Sequence, residues 1–242
     1  MCRCSIIILL CFAAVPLIAE DLPAGANQAG SLSAGLSLTR GNSDTENFNL
    51  AFNFAQRLDD RNVAKYDAFY LRAKENGALT VDRAAFGARD EFAVSPLTFA
   101  FADAHYLRDH FKEIEYLITP TVGAGRHLIK QTDFDLSVEG GVGVAVEKDI
   151  DRPKTTSGAL QAKQLLTWKF SPTATVGETA AGLWKMNDVG DALYHADLSI
   201  ASDLTAHSQL KLAVMDDYKT RPPAPGIKKN DVSLIAAVVM KF

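Results

Sequence analysis

The chain has 242 residues, a formal net charge of -4, 48% hydrophobic residues and 22% charged ones. That balance excludes a disordered chain and leaves room for one large domain or two small ones. The acidic excess argues against a nucleic-acid partner.

All three cysteines, Cys2, Cys4 and Cys11, fall within "MCRCSIIILLCFAAVPLIAE". One positive charge (Arg3), an apolar run from Ile6 to Val15 and a small residue, Ala19, before "ED" predict a secretory signal peptide over 1–19. Residues 20–242 then form one exported domain without cysteine, which excludes disulfide, thiolate-metal and thiol-nucleophile chemistry. No later run of 18 apolar residues occurs, so a membrane-embedded mature chain would not cross as helices.

From residue 30 onward one texture repeats. "SLSAGLSLT" sets Leu32, Ala34, Leu36 and Leu38 against Ser31, Ser33, Gly35, Ser37 and Thr39. "TENFNLAFNFAQRL" sets Phe48, Leu50, Phe52 and Phe54 against Asn47, Asn49, Ala51 and Asn53. "DFDLSVEGGVGVAVE" alternates from Phe134 to Val146 against Asp135, Ser137, Glu139 and Glu147. "ALQAKQLLTWKF" and "ALYHADLSIASDL" continue the pattern. A period of two is the strand period. The stretches 61–75, 97–109 and 173–185 alternate poorly and leave their faces unassigned. About twelve strands are expected, near 30–41, 45–58, 61–75, 79–94, 97–109, 114–131, 133–148, 155–170, 173–186, 191–205, 208–220 and 230–242. Pro120, inside the sixth, removes a ladder donor and predicts a bulge or an imperfect seam.

Tight connections ("DD", "SP", "QT", "SP", "AH") alternate with segments that are mostly longer ("GNSD", "ENGA", "DHFKE", "DIDRPKTT", "NDVG", "RPPAPGIKKN"). An even strand count with two unlike ends predicts an all-β fold, a transmembrane antiparallel up-and-down barrel of about 12 strands of outer-membrane type. A soluble barrel would show the same alternation with its apolar face inside. Strand length, and polar faces too wet to fill so wide a barrel, favour the membrane. Arg83, Arg89, Asp135, Glu139, Lys163, Lys169, His195, Asp197 and Asp203 are then expected to line the lumen. Tyr70, Phe92, Trp168, Phe170, Trp184 and Phe242 would form interface girdles. The terminal stretch "NDVSLIAAVVMKF" puts Phe242, Met240, Val238, Ala236, Leu234 and Val232 on one wholly apolar face.

Three pieces in order, "LSAGLSLTRGNSDTENFNL", "YLRDHFKEIEYLITPTVGAGRHLIKQTDFDLSVEGGVG" and "YKTRPPAPGIKKNDVSLIAAVVMKF", resemble the family known as domain of unknown function 481, whose members are labelled salt-induced outer membrane proteins. The resemblance implies a barrel in the bacterial outer membrane and a link to salt or osmotic stress. It supplies no activity and no catalytic residues. A last strand ending in Phe242 looks like the assembly signal of such barrels. The implied partners are outer-membrane lipid, lipopolysaccharide and the barrel assembly machinery.

No cofactor or metal motif is present. His105, His110, His127, His195 and His207 are scattered without ligand spacing. "GAGRHLIK" has a glycine pair but no following helix. Ser199 and His195 share a strand face with Asp197, at a spacing too long for direct contact, so a lipid-active barrel enzyme stands as one alternative and a soluble periplasmic ligand-binding barrel as another. The first expectation is a non-enzymatic barrel, structural or a narrow pore for small polar solutes and ions. Asp44 could pair with Lys228 or Lys229 across the seam, though ordinary turns account for both segments.

Overall fold

The computed structural model describes residues 22, 25–39, 45–221 and 229–242. The expected signal peptide and Asp44 lie outside them. Twelve strands follow one another: β1 (Gln28–Thr39), β2 (Thr45–Arg57), β3 (Asn62–Glu75), β4 (Ala78–Ser95), β5 (Thr98–Asp109), β6 (Ile114–Lys130), β7 (Phe134–Asp149), β8 (Thr155–Ser171), β9 (Ala174–Lys185), β10 (Asp188–Thr205), β11 (Ser208–Lys219) and β12 (Asn230–Lys241). Each pairs antiparallel with its sequence neighbour, and β12 returns to β1, closing the barrel. Closure satisfies the edges that an open sheet would leave unpaired.

The register is strongly staggered. The row that begins at Leu32, near the inner end of β1, runs through Phe52, Ala68, Phe86, Tyr106, Ile118 and Val146 to Thr156 at the outer end of β8. Such stagger tilts strands by roughly 40° to the axis.

The period of two sorts most of the barrel by parity, apart from positions near strand ends, where register shifts change the phase. Even positions such as Leu32, Phe48, Leu50, Phe86, Val122, Val142, Leu198, Leu212, Leu234 and Val238 are exposed. Odd positions such as Asn49, Asn53, Arg83, Asp103, Glu139, Thr179, Asp197 and Asp217 are buried. The apolar face therefore points outward. A soluble barrel needs the reverse, so the soluble alternative does not fit this structure.

Aromatic side chains band the outside at two levels. Trp168 and Phe170 lie 5.7 Å apart near the inner end of β8. Near the outer ends, Phe48 meets Tyr70 at 6.5 Å, Trp184 meets Tyr194 at 5.8 Å, and Tyr194 meets Tyr218 at 6.3 Å. The Trp184 indole N–H donates to the Tyr194 hydroxyl at 3.0 Å. Two girdles flanking an apolar band are the outer-membrane pattern.

Two local expectations become specific in the structure. The connections of the outer end are not uniformly longer. Asn76–Gly77 joins β3 to β4 with positive φ at both residues, the signature of a two-residue type I′ turn, and β9 meets β10 across residues 186–187 alone. Pro120 causes no bulge. The β6–β7 register is the same on both sides of it, Ile118↔Val146 and Thr121↔Gly143, and only the rungs between are missing. Losing one N–H donor interrupts the ladder without inserting a residue.

The seam is the weakest ladder. β1 and β12 pair from Ser31↔Lys241 to Ala34↔Val238, whereas β1 and β2 pair along their full length. Phe242 extends the seam by one reciprocal pair of backbone bonds with Gly30, at 2.9 and 3.0 Å.

Candidate functional site

The inside is not a plain water-filled tube. Two apolar clusters project into it. Leu71 and Met215, both 0% exposed, meet with Phe69, Ala51, Ala213 and Ile235. Ile114, Leu117, Ala145 and Ala159 form the other. β3 and β11 are not neighbours in the sheet, so this cluster joins side chains across the interior. These inward apolar residues explain why 61–75 alternated poorly. β3 is apolar on both faces, with Phe69 and Leu71 inside and Tyr66 and Tyr70 outside. β5 likewise turns Phe99 and Phe101 inward, and β9 turns an acid, Glu178, outward.

Two ion-pair networks share the interior with these clusters. In the outer half, Arg83 of β4 donates to Asp217 of β11 at 3.0 Å and lies 3.9 Å from Asp109. β4 and β11 stand nearly opposite in the barrel order, so this pair is a strut across the lumen. His195 Nδ1 lies 2.9 Å from the other Asp217 oxygen, and Lys112 Nζ donates to the Asp217 carbonyl at 3.5 Å. Beside it, Glu147 of β7 accepts from Lys219 of β11 at 2.9 Å and from Lys185 of β9, which also donates to Asp191 at 2.7 Å.

In the inner half, Arg89 forks onto Glu139, Nη1 to Oε1 at 3.1 Å and Nη2 to Oε2 at 2.7 Å. Its Nε donates to Glu91 at 3.2 Å, and its guanidinium lies 4.1 Å from the Phe101 ring centre. Bidentate geometry and cation–π contact are what guanidinium does better than ammonium. Lys163 approaches Glu139 at 4.0 Å.

The remaining expected lumen residues sit nearer the inner rim. Asp135 meets His127 at 2.7 Å, and Asp203 accepts from Lys241 at 2.7 Å and Gln209 at 2.9 Å. Lys169 holds an odd position but is exposed close to the end of β8. Asp197 differs from all of these. It is 2% exposed, faces inward, and neither of its carboxylate oxygens has a hydrogen-bond partner. Lys211 and His195 are the basic side chains that act on it.

Ser199 and His195 are not brought together. Ser199 Oγ donates to the Gly177 carbonyl at 3.5 Å, and His195 turns to Asp217. Asp217, Lys185, Lys219, Asp103 and Phe101 were not singled out from the sequence. Parity finds Asp217, because it is in phase with Ala213 and Met215 while Asp216 is not. Asp103 and Phe101 lie in a stretch whose alternation is blurred. Among the described residues no three histidine, aspartate or glutamate side chains converge as a metal site.

A family model described as "Protein of unknown function, DUF481" matches residues 32–242. The chain belongs to this family. No curated protein matches the sequence. Three solved barrels resemble this DUF481 chain in fold. An outer membrane channel from Pseudomonas putida F1 is 12% identical, over 95% of this chain and 100% of that one, at a TM-score of 0.59. The NanC porin is 9% identical, over 88% and 98%, at 0.53. The translocator domain of the autotransporter NalP from Neisseria meningitidis is 15% identical, over 89% and 87%, at 0.51. At such identities the likeness is one of architecture, a closed antiparallel barrel of outer-membrane type.

Proposed function

We propose that this DUF481 barrel sits in the bacterial outer membrane, exported by the segment 1–19, and forms a narrow, ion-paired passage for small polar solutes and ions without enzymatic activity. The observation that carries the reading is the Arg83–Asp217 strut, together with the parity that puts charge inside and hydrocarbon outside. A purely structural barrel gains little from charges facing its interior, where each pair costs desolvation. A passage for ions needs charged walls that exchange partners at low cost.

More open pairs toward the inner rim, such as Lys241–Asp203, also give a physical route to salt responsiveness. Lumen pairs that water can reach are screened as ionic strength rises, since the Debye length falls from about 10 Å at 0.1 M to about 3 Å at 1 M. Conductance should then rise faster than the conductivity of the bath. The test is single-channel recording from purified protein in planar bilayers across a salt series. Silent bilayers at every salt concentration would overturn the passage, and recovery of the protein in the soluble periplasmic fraction would overturn the location. Phe242, with its ring outside and its backbone stitched to Gly30, would serve the assembly machinery and close the seam.

A further inference from the structure

The lipid-facing surface is not uniformly apolar. On β1–β7 the middle rows carry aliphatic, aromatic and alanine side chains, with charge toward the edges: Asp90 and Arg126 at the inner one, Arg72, Asp82 and Arg108 at the outer. On β8–β11 even positions carry Gln164, Glu178 and Asp216. Gln164 stands four residues along β8 from Trp168 of the inner girdle, and four from Leu160, whose partner is Trp184 of the outer girdle. It is therefore in mid-belt. Ala180 is its cross-strand partner, and Glu178 is its diagonal neighbour. Paired rows climb toward the outer end from β8 to β9, so Glu178, two residues inward of Ala180, lies level with Gln164 across the membrane.

A polar side chain in hydrocarbon is costly without a partner. Among the described residues neither Gln164 nor Glu178 has one. Gln164 borders a hollow of about 550 Å³ lined also by Ala162, Ala180, Gly182, Ala196 and Asp216. One Asp216 oxygen is shut off from solvent there without a hydrogen bond.

We propose that this sector is the interface of a symmetric dimer, in which Gln164 of each copy hydrogen-bonds Glu178 of the partner subunit. The chemistry is self-complementary. A carboxylic acid donates its O–H to an amide oxygen and accepts the amide N–H, so each pairing makes two hydrogen bonds and buries no net charge. The symmetry fits as well. Two copies in one membrane are related by an axis along the membrane normal, which brings a residue opposite its partner's residue of equal height and mirrored lateral position. Gln164 and Glu178 are side by side at equal height, so an axis between β8 and β9 makes both pairings at once. Ala162 and Ala180 leave the backbones free to approach.

The inference rests on the membrane location, so that is checked first by alkali extraction of membranes carrying the full chain. A protein released as soluble fails on location, and the dimer fails with it. With the protein retained, single cysteines are introduced into a chain whose only cysteines lie at positions 2, 4 and 11. Ala180→Cys should give an oxidative cross-link of twice the monomer mass in native membranes and in pure phospholipid vesicles. Ala34→Cys, on the far lipid face, should not. The double variant Gln164→Leu with Glu178→Leu should fold and stay heat-modifiable, because it suits lipid better. Its dimer fraction should fall roughly tenfold or more, the scale expected for losing intramembrane hydrogen bonds. A cross-link unchanged by that double variant overturns the pairing. Protein that is monomeric in vesicles at every protein-to-lipid ratio, or that cross-links only to a different chain in cells, overturns the self-association.

Discussion

Asp197 is the one expected lumen carboxylate that no neighbour holds. Arg83, Arg89, Glu139 and Asp203 are each tied to a countercharge within 3.1 Å. A buried acid without a bound donor is costly on its own, and a passing cation would relieve that cost. Asp197→Asn is therefore expected to leave folding intact and to move the reversal potential toward zero in an asymmetric salt gradient. An unchanged potential would remove Asp197 from the path. Asp59 is a second, simpler case, in the turn between β2 and β3. Its Oδ1 accepts the backbone N–H of Arg61 at 2.8 Å and of Asn62 at 2.9 Å, and its Oδ2 accepts from the Asn62 side chain at 2.6 Å. The Arg61 N–H above all, and then the Asn62 side chain, hold this carboxyl below its usual range. A carboxyl whose folded-state pKa is depressed stabilises above its unfolded pKa and loses that contribution as pH falls through the folded value. Asp59→Ala should thus unfold at slightly lower temperature than wild type at neutral pH, and the two melting curves should converge in strong acid. A gap that persists in acid would mean the turn does not depend on the carboxylate.

Strands were easy to locate and their faces less so, for a physical reason that β3 and β8 make plain. In β8 the outer face meets lipid and the inner face meets polar groups, so the alternation of Leu160, Trp168 and Phe170 with Lys163 and Lys169 is visible in the sequence. In β3 the inner face packs Phe69 and Leu71 against Met215, and the contrast between faces disappears. The ion-pair partners were legible only in part. Parity places Arg83 inside, but its pairing with Asp217, which lies 134 positions along the chain, follows from closure and stagger. No local pattern encodes that pairing. The glycine-rich course of β7 has a similar long-range cause. Opposite Pro120 the two strands close up, and a side chain at Gly143 would overlap the Pro120 carbonyl oxygen. Gly143→Val should cost about 1–3 kcal/mol, the usual scale for forcing extra volume into a packed site. Urea titration of refolding into vesicles measures this directly. The β1–β12 seam is also strained by added volume, because a Cβ at Gly30 would run into the Phe242 ring. Gly30→Val is expected to lower the gel-shift unfolding temperature, and pairing it with Phe242→Ala should recover part of the loss. Absence of recovery would separate the ring from the seam.

The barrel as a unit is held by two opposing arrangements. Closure and lipid exposure favour a wide ring of twelve tilted strands. The apolar clusters and the cross-lumen struts pull that ring shut in its outer half. If the Arg83–Asp217 strut is what narrows the passage, removing it has two separable consequences. Arg83→Ala leaves Asp217 buried with His195 and Lys112 as its remaining partners. Deleting one member of a buried pair costs about 3–5 kcal/mol where nothing else compensates, and these two neighbours should bring the loss toward the lower end. The combined change Arg83→Met with Asp217→Leu removes both charges and fills similar volume. Replacing a buried pair by apolar groups is often neutral or stabilising, so folding stability should return close to wild type. Conductance discriminates further. Arg83→Ala shortens the strut and opens space, so its single-channel current should exceed that of wild type. The Met–Leu pair rebuilds the obstruction with side chains that screening cannot loosen, so its conductance should stay low and scale only with bath conductivity. A Met–Leu variant that still conducts disproportionately more in high salt would show that the salt dependence arises at another pair, with the more exposed Lys241–Asp203 the next to remove.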